Sequence, residues 1–429
     1  MSLERREDGW WMGGVALAGV LGRLRSLEPA ARACWVYDLD ALAARATRLQ
    51  LATRPLRAAN AYALKANSLP ALLAPLRAAG FEVDAGSLGE LEAARAAGFG
   101  PSQRTLSGNG RTPEESAWVA REGVAAVSVD SLGELDLLQR AAAVHETSVR
   151  VALRVNPGIA TPGHRHVATG HEEAKFGVAR EEALEAWGGR ARWPNLTLDG
   201  LHLHVGSQLL EREPLVAAAE SALALARASA ERGSKLSMLN LGGGFGVDYA
   251  EQRDAFPLER HLAHLAELSG VAQYEWRFEP GRWLVAPVGV LLAEVLAVKR
   301  RRDESGERRF IVLAAGMNDL LRPALYGAHH RIVPIQPRAG AETSATVVGP
   351  VCESGDTFEA AASLPPLEVG DHVALLDVGA YGAVMSSNYN GRPRLAELAI
   401  ERGRLRRVRR GETPVDLLAR VVDDSLDPA

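Results

Sequence analysis

From about residue 35, short β-rich runs alternate with helical stretches along the chain. The candidate strands are 60–64, 82–84, 104–106, 125–129, 149–155, 198–205, 237–241 and 274–278. Between them, stretches such as 88–97, 131–143 and 215–232 repeat their apolar positions at helical spacing, with Ala, Leu, Glu and Arg filling the remainder. Strands separated by helix-length connections predict parallel βα units, and eight such units predict a closed (β/α)8 barrel. An open doubly wound sheet is the rival arrangement for the same pattern.

After about residue 288 the texture changes. Alternating or apolar β-type runs take over at 288–298, 310–313, 346–351, 372–378 and 395–400, punctuated by Pro365-Pro366 and Gly391-Arg392-Pro393. Runs of strands without long helices predict a mainly antiparallel β domain, a sandwich or barrel. The expected organisation is a barrel over 37–288 and a β domain over 289–429, the latter joined by the N-terminal segment 1–36. No internal repeat and no low-complexity linker stands out.

Composition narrows the function classes. The 429 residues are 47% hydrophobic and 24% charged, with a formal net charge of −4, as in an ordinary globular protein. The basic run Lys299-Arg300-Arg301-Arg302 and the arginines between 402 and 410 are flanked by acids and read as solvated strand ends, so no nucleic-acid partner is expected. Cys34 and Cys352 lie far apart and form neither a disulfide framework nor a metal-finger spacing, which points to the reducing cytoplasm. The N-terminus has no basic start followed by an apolar stretch, and no apolar run approaches the about 20 residues of a membrane span. Neither a secretion signal nor a membrane partner is expected.

In a barrel of this kind the chemistry sits at the C-terminal ends of the strands. The unusual residues fall there: Lys65, Asp84, Arg154 with Asn156, His204 with Gly206-Ser207-Gln208, Gly242-Gly243-Gly244, and Glu279-Pro280-Gly281-Arg282. A lysine after a strand is ordinarily a solvated surface residue. Lys65, however, follows an apolar strand among Ala, Leu and Asn, and a partly desolvated lysine is an amine nucleophile suited to Schiff-base chemistry. The triple glycine is either a tight turn or a row of backbone N–H groups able to cradle a phosphate. His202 and His204 share one face of a strand, but no third ligand stands at sensible spacing and no metal is expected.

Together these motifs resemble the fold-type III decarboxylases dependent on pyridoxal 5′-phosphate (PLP), the group that includes the ornithine, lysine, arginine and diaminopimelate enzymes. The resemblance runs in order from about Tyr37 to Asn390. It is carried by Tyr62-Ala63-Leu64-Lys65-Ala66-Asn67, Ser87-Leu88-Gly89-Glu90-Leu91, Arg154-Val155-Asn156-Pro157-Gly158, and the stretch 164–177 with Thr169-Gly170 and Lys175-Phe176-Gly177. It continues through His204-Val205-Gly206-Ser207-Gln208, Gly242-Gly243-Gly244-Phe245-Gly246, Glu279-Pro280-Gly281-Arg282, Cys352-Glu353-Ser354-Gly355-Asp356 and Gly379-Ala380-Tyr381-Gly382. The resemblance implies an alanine racemase-like architecture and a homodimer with shared active sites. It also implies roles. Lys65 carries PLP as a Schiff base, and His204 stacks on the ring. Ser207, Gly242, Gly243, Gly244, Arg282 and Tyr381 hold the phosphate, and Glu279 keeps the pyridine nitrogen protonated. Cys352 resembles the residue that reprotonates the α-carbon from the neighbouring subunit, work suited to a thiol whose pKa lies near the operating pH.

Two features resemble the diaminopimelate branch. Glu353 follows the cysteine where the ornithine branch places Asp-Gly, and the segment Gly316-Met317-Asn318-Asp319-Leu320-Leu321-Arg322-Pro323-Ala324-Leu325-Tyr326 is similar to that branch. By that resemblance Arg322, Tyr326 and Arg282 bind the retained carboxylate, Tyr381 also faces the substrate, and Glu353 takes the distal ammonium. A guanidinium fork suits a carboxylate. The expected reaction is decarboxylation of meso-2,6-diaminopimelate at its D-centre to L-lysine. Ala314 departs from the branch, where an aspartate is customary, and so does the approach Ala33-Cys34-Trp35-Val36-Tyr37-Asp38. A same-family decarboxylase for a related amino acid in a siderophore, polyamine or natural-product pathway is therefore the first alternative. A PLP racemase and a non-catalytic binding homologue are the others.

Overall fold

The computed structural model of the chain describes residues 3–159, 176–250, 256–303 and 306–422. The chain forms two compact units, one of residues 42–286 and one combining 1–41 with 287–429.

Among its described residues, unit 42–286 closes a parallel barrel of the strands Ala59–Ala63, Glu82–Ala85, Arg104–Leu106, Ala126–Val129, Val149–Arg154, Leu196–His202, Met238–Asn240 and Glu275–Phe278. Helices such as Leu88–Ala96, Leu132–Val144 and Glu213–Glu231 follow the strands and bury one apolar stripe each. The interior holds small side chains. A Cβ on Gly200 would come within 2.6 Å of Met238 Cε and 2.8 Å of Ala152 Cβ, so glycine makes room for the methionine. The strand register slips beside it, between Leu198 and Gly200. At the strand beginnings an ion-pair network ties the barrel together: Arg150 meets Asp199 at 3.1 Å and Glu275 at 2.8 Å, and Arg277 meets Glu82 at 2.8 Å and Glu275 at 3.2 Å.

Two βα junctions repeat one device. Ser87-Leu88-Gly89-Glu90-Leu91 and Ser131-Leu132-Gly133-Glu134-Leu135 both open helices whose capping serine accepts from the backbone N–H of the glutamate three residues on. That glutamate reaches back in turn to the residue before the cap, Gly86 in one case and Asp130 in the other. The shared pentapeptide is a local capping device at two junctions.

In the other unit, seven strands follow one another in space: Thr357–Leu364, Thr343–Val348, Gly306–Leu313, Gly289–Asp303, Ala33–Asp38, Ala396–Glu401 and Arg404–Arg409. His372–Leu375 pairs with Gly289–Asp303 and carries Ile332–Pro334 on its other side. Most pairings are antiparallel, but Ala33–Asp38 runs parallel to Ala396–Glu401, as does Gly306–Leu313 to Thr343–Val348. All six residues of Ala33–Asp38 are buried, and Cys34 and Val36 join a core with Leu292, Ala374, Leu398 and Ile400.

Candidate active site

The strand expected over 198–205 runs instead over Leu196–His202. The strand ends at His202, so His204 lies beyond it and does not share its face, as the alternation had suggested. Lys65 also differs from expectation. It sits in a single 3-10 turn, Leu64–Ala66, after the first barrel strand, and its side chain is exposed rather than desolvated. The turn is fixed from both sides, because Tyr62 donates its hydroxyl to the Asn67 carbonyl at 2.9 Å and Leu69 N–H donates to Asn67 Oδ1 at 3.1 Å.

The ammonium of Lys65 acts on Asp84, Glu90, His204 and Glu279, which brings four strand ends into one electrostatic cluster. Asp84 accepts from Ser107 Oγ at 2.7 Å and from Thr105 Oγ1 at 3.2 Å. Burial, reinforced by the nearby Glu279 charge, pushes its carboxyl up to about 8. Burial works in the same direction on Glu279 but is overcome. His202 lies 3.4 Å from one carboxylate oxygen, and Asn240 donates to the other at 2.6 Å, so Glu279 stays well below the usual carboxylate range. Burial, with Lys65 and Arg154 adding to it, holds the His204 imidazole well below its ordinary value, so the ring is neutral at physiological pH.

Beside this cluster the glycine loop packs with no spare room. Gly242 and Gly244 have φ of +63° and +103°, and a Cβ on Gly243 would meet the Glu279 carbonyl oxygen at 2.3 Å. Arg282 donates to Ser207 Oγ at 3.1 Å and to the Tyr249 hydroxyl at 2.9 Å. Gln208 braces the same loop, its amide exchanging hydrogen bonds with the Val247 backbone. Three polar side chains therefore meet beside a glycine turn, as a phosphate group requires. Arg154 stands 3.8 Å from Asp130 and lies over the ring of Phe176, 4.5 Å from its centroid. The expected motif residues between 164 and 175, Thr169, Gly170 and Lys175 included, lie outside the described residues, whereas Phe176 and Gly177 are described.

The remaining expected residues belong to the other unit. Cys352 and Glu353 are exposed on the loop after Thr343–Val348. Cys352 N–H donates to Asn390 Oδ1 at 2.8 Å, and the Tyr389 hydroxyl lies 3.4 Å from Glu353 Oε2. This loop is tied to the segment before Arg322 by Asp356, whose carboxylate accepts from the N–H groups of Met317 at 2.6 Å and Val351 at 2.7 Å. Arg322 and Tyr326 begin and end the helix Arg322–Tyr326, and Arg322 is buried. Tyr381 is half-buried with φ of +55°.

Sequence reading passed over Asn240, Tyr249 and Asp356 as site residues. Asn240 carried a local signal, a polar side chain inside Leu239-Asn240-Leu241 just ahead of the glycines, and Asp356 closed the motif Cys352-Glu353-Ser354-Gly355-Asp356 without a role being assigned to it.

Residues 39–286 match the family model described as the pyridoxal binding domain of pyridoxal-dependent decarboxylases, more than half of the chain. The chain belongs to the pyridoxal-dependent decarboxylase family. Diaminopimelate decarboxylase of Zymomonas mobilis is 36% identical over 392 residues, covering 90% of this chain and 91% of that protein. The solved structure of diaminopimelate decarboxylase from Helicobacter pylori complexed with L-lysine has 34% sequence identity and a TM-score of 0.84 over 92% of this chain and 98% of that one. The structure of the M. jannaschii enzyme, also with L-lysine, has 28% identity and a TM-score of 0.89 over 99% and 98%.

The residues present fit the family's cofactor. A buried carboxylate held ionised suits a protonated pyridine nitrogen, the glycine turn with Ser207 and Arg282 suits a phosphate, and Lys65, whose charge is felt at Glu279, has an amine of the kind a Schiff base needs. Among the described residues, no group of three or more His, Cys, Asp or Glu side chains could hold a metal ion, and no helix is long and apolar enough to cross a membrane.

Proposed function

We propose that this chain is a PLP-dependent carboxy-lyase that removes CO2 from the D-centre of meso-2,6-diaminopimelate to give L-lysine. The observation that carries the substrate is the extent of the likeness to diaminopimelate decarboxylases. At 90% of the chain it runs well beyond the barrel and into the unit holding Arg322, Tyr326, Cys352 and Glu353.

When bound, protonated PLP supplies the sink for the electrons of the breaking C–C bond. The chain's own residues supply the rest. Lys65 Nζ would hold the cofactor between turnovers, and the neutral ring of His204 would pack against it without adding charge. Ser207, Gly242, Gly243, Gly244, Arg282 and Tyr381 take the phosphate. Glu279 holds a proton at the ring nitrogen, which it does only while ionised, and His202 and Asn240 keep it so. Arg322 and Tyr326, with Arg282 and Tyr381 nearby in role, orient the retained carboxylate, and Glu353 takes the distal ammonium. Cys352 Sγ returns a proton to the α-carbon. Cys352 is exposed in the single chain, which supports its delivery from a second copy in a homodimer with shared sites. Such a biosynthetic enzyme works in the cytoplasm.

The test is CO2 release and amine product from purified, PLP-loaded protein on meso-diaminopimelate, L-ornithine, L-lysine, L-arginine and carboxynorspermidine. Turnover of meso-diaminopimelate alone, yielding L-lysine, is expected. Turnover of another member instead, or of none, would transfer the enzyme to a related substrate, the reading favoured by Ala314.

A further inference from the structure

We propose that His330 is a positioning residue for Arg322, a neutral imidazole that sets the plane in which the guanidinium meets the substrate's retained carboxylate. The inference rests on the reading of Arg322 as the residue that holds that carboxylate.

The short helix Arg322–Tyr326 stops at Gly327, whose φ of +60° turns the chain back, and His330 returns beside the residue that began the helix. Arg322 Nη1 and His330 Nε2 are 2.8 Å apart, and His330 Nδ1 is 2.9 Å from the Leu376 carbonyl oxygen. Both side chains are buried, with exposures of 6% for Arg322 and 2% for His330.

This geometry fixes the tautomer. A carbonyl oxygen only accepts, so Nδ1 carries the hydrogen, and a guanidinium only donates, so Nε2 offers its lone pair. His330 is therefore the neutral Nδ1–H form in this arrangement. The ring is anchored by more than that one bond, because Leu376 N–H donates to the carbonyl of Arg331 at 3.0 Å, stitching the backbone next to the histidine onto the same strand end.

The choice of imidazole has a chemical consequence. A carboxylate at this place would fix Arg322 equally well but would neutralise it and compete with the substrate's acid group. A neutral acceptor orients the fork and leaves its charge for the ligand.

Two isosteric changes separate the ring's two bonds. His330→Gln keeps an acceptor near the Nε2 position, whereas His330→Asn keeps a donor near Nδ1 and loses the acceptor that faces Arg322. In the PLP-loaded enzyme, H330N is expected to raise KM for meso-diaminopimelate about tenfold, the loss of one charge-assisted hydrogen bond, with kcat within about threefold. H330Q is expected to stay near wild type in both. Inhibition by L-lysine, which retains the carboxylate, should weaken in H330N, while inhibition by cadaverine, which has none, should not. H330N with an unchanged KM, while R322L raises it, would overturn the role of His330. R322L with an unchanged KM would instead remove the reading of Arg322 itself. Equal loss of L-lysine and cadaverine inhibition in H330N would mark a general disturbance of the unit and would also overturn the proposal.

Discussion

Asn240 donates its side-chain amide to Glu279 across neighbouring strand ends at 2.6 Å. The same side chain accepts from Gly242 N–H at 2.8 Å, so one residue sets both the carboxylate and the start of the glycine loop. Removing it leaves a buried carboxylate short of a donor, a loss of about 2 kcal/mol for a charged hydrogen bond. Asn240→Leu is therefore expected to weaken PLP binding at least about tenfold. Asn240→Asp should be worse, since it sets a second acceptor against Glu279. Titration of cofactor-free protein with PLP, followed by visible absorbance, measures both. Wild-type affinity in the leucine variant would mean that Asn240 only fills space.

Asp84 and Glu279 are pushed in opposite directions, one kept protonated and the other ionised, the usual way two acids in one site divide their roles. The folded-state pKa of Asp84, about 8, lies above the ordinary aspartate value of about 3.9. The folded chain therefore binds this proton more tightly than the unfolded chain does. The stability this contributes is complete below about pH 4 and is lost as pH rises through about 8. Asp84→Asn removes the titration. In cofactor-free protein its melting temperature should be close to wild type near pH 4.5 and exceed it by a margin that grows up to pH 9. A difference that is the same at every pH would refute the assignment.

Much of the architecture could be read from the pattern because the barrel strands end in chemistry-bearing residues and begin after turns. The run ending in Leu64 and the observed strand Ala59–Ala63 differ by one residue at each end. Where burial is complete the pattern is silent. Ala33–Asp38 has six consecutive buried residues and no alternation to say which sheet it joins, although it is an interior strand of the β unit, between Gly289–Asp303 and Ala396–Glu401. The six strand ends that stood out were read from residue type alone. The residues that orient them were not, because their partners are distant in sequence. Tyr249 finds Arg282, and Asp356 finds Met317, only through the fold. The repeated Ser-Leu-Gly-Glu-Leu was present in the sequence all along but gains meaning only when both copies are seen capping helices after barrel strands.

Arg277 tests the opposite end of the barrel. Its guanidinium is buried between Glu82 and Glu275, and burial, with the Glu275 charge adding to it, raises the Glu82 carboxyl even with Arg277 opposing it. Arg277→Leu strands Glu82 without its cation, and breaking a buried pair this way costs about 3–5 kcal/mol. Because conserved function in such barrels lies at the other rim, kcat at a permissive temperature should be unchanged. Denaturant titration should show the loss. Glu82→Gln together with Arg277→Leu should recover part of it, and a double variant no better than the single one would show that the stranded charge is not the cause.

Gly243 allows the sharpest steric test. A Cβ there would lie 2.3 Å from the carbonyl oxygen of Glu279 and 3.1 Å from its carbon, and both are backbone atoms that no rotamer change can move aside. The two segments are already laced together, since Glu279 N–H donates to the Gly242 carbonyl at 2.7 Å. Gly243→Ala must therefore push the loop away from Glu279, at about 1–3 kcal/mol for an overpacked site. The displaced loop should also lose PLP affinity, because the glycine N–H groups and Glu279 serve the two ends of one cofactor. Gly188→Ala is the matched control. It ends the helix Arg180–Gly188 with nothing within 4 Å of its added carbon, and should be neutral or slightly stabilising by helix propensity. Melting temperature and PLP titration on both variants decide the matter. If G243A kept both values while G188A also did, the loop would have to yield freely, and the close approach to Glu279 could not be what holds the cofactor's two anchoring groups in register.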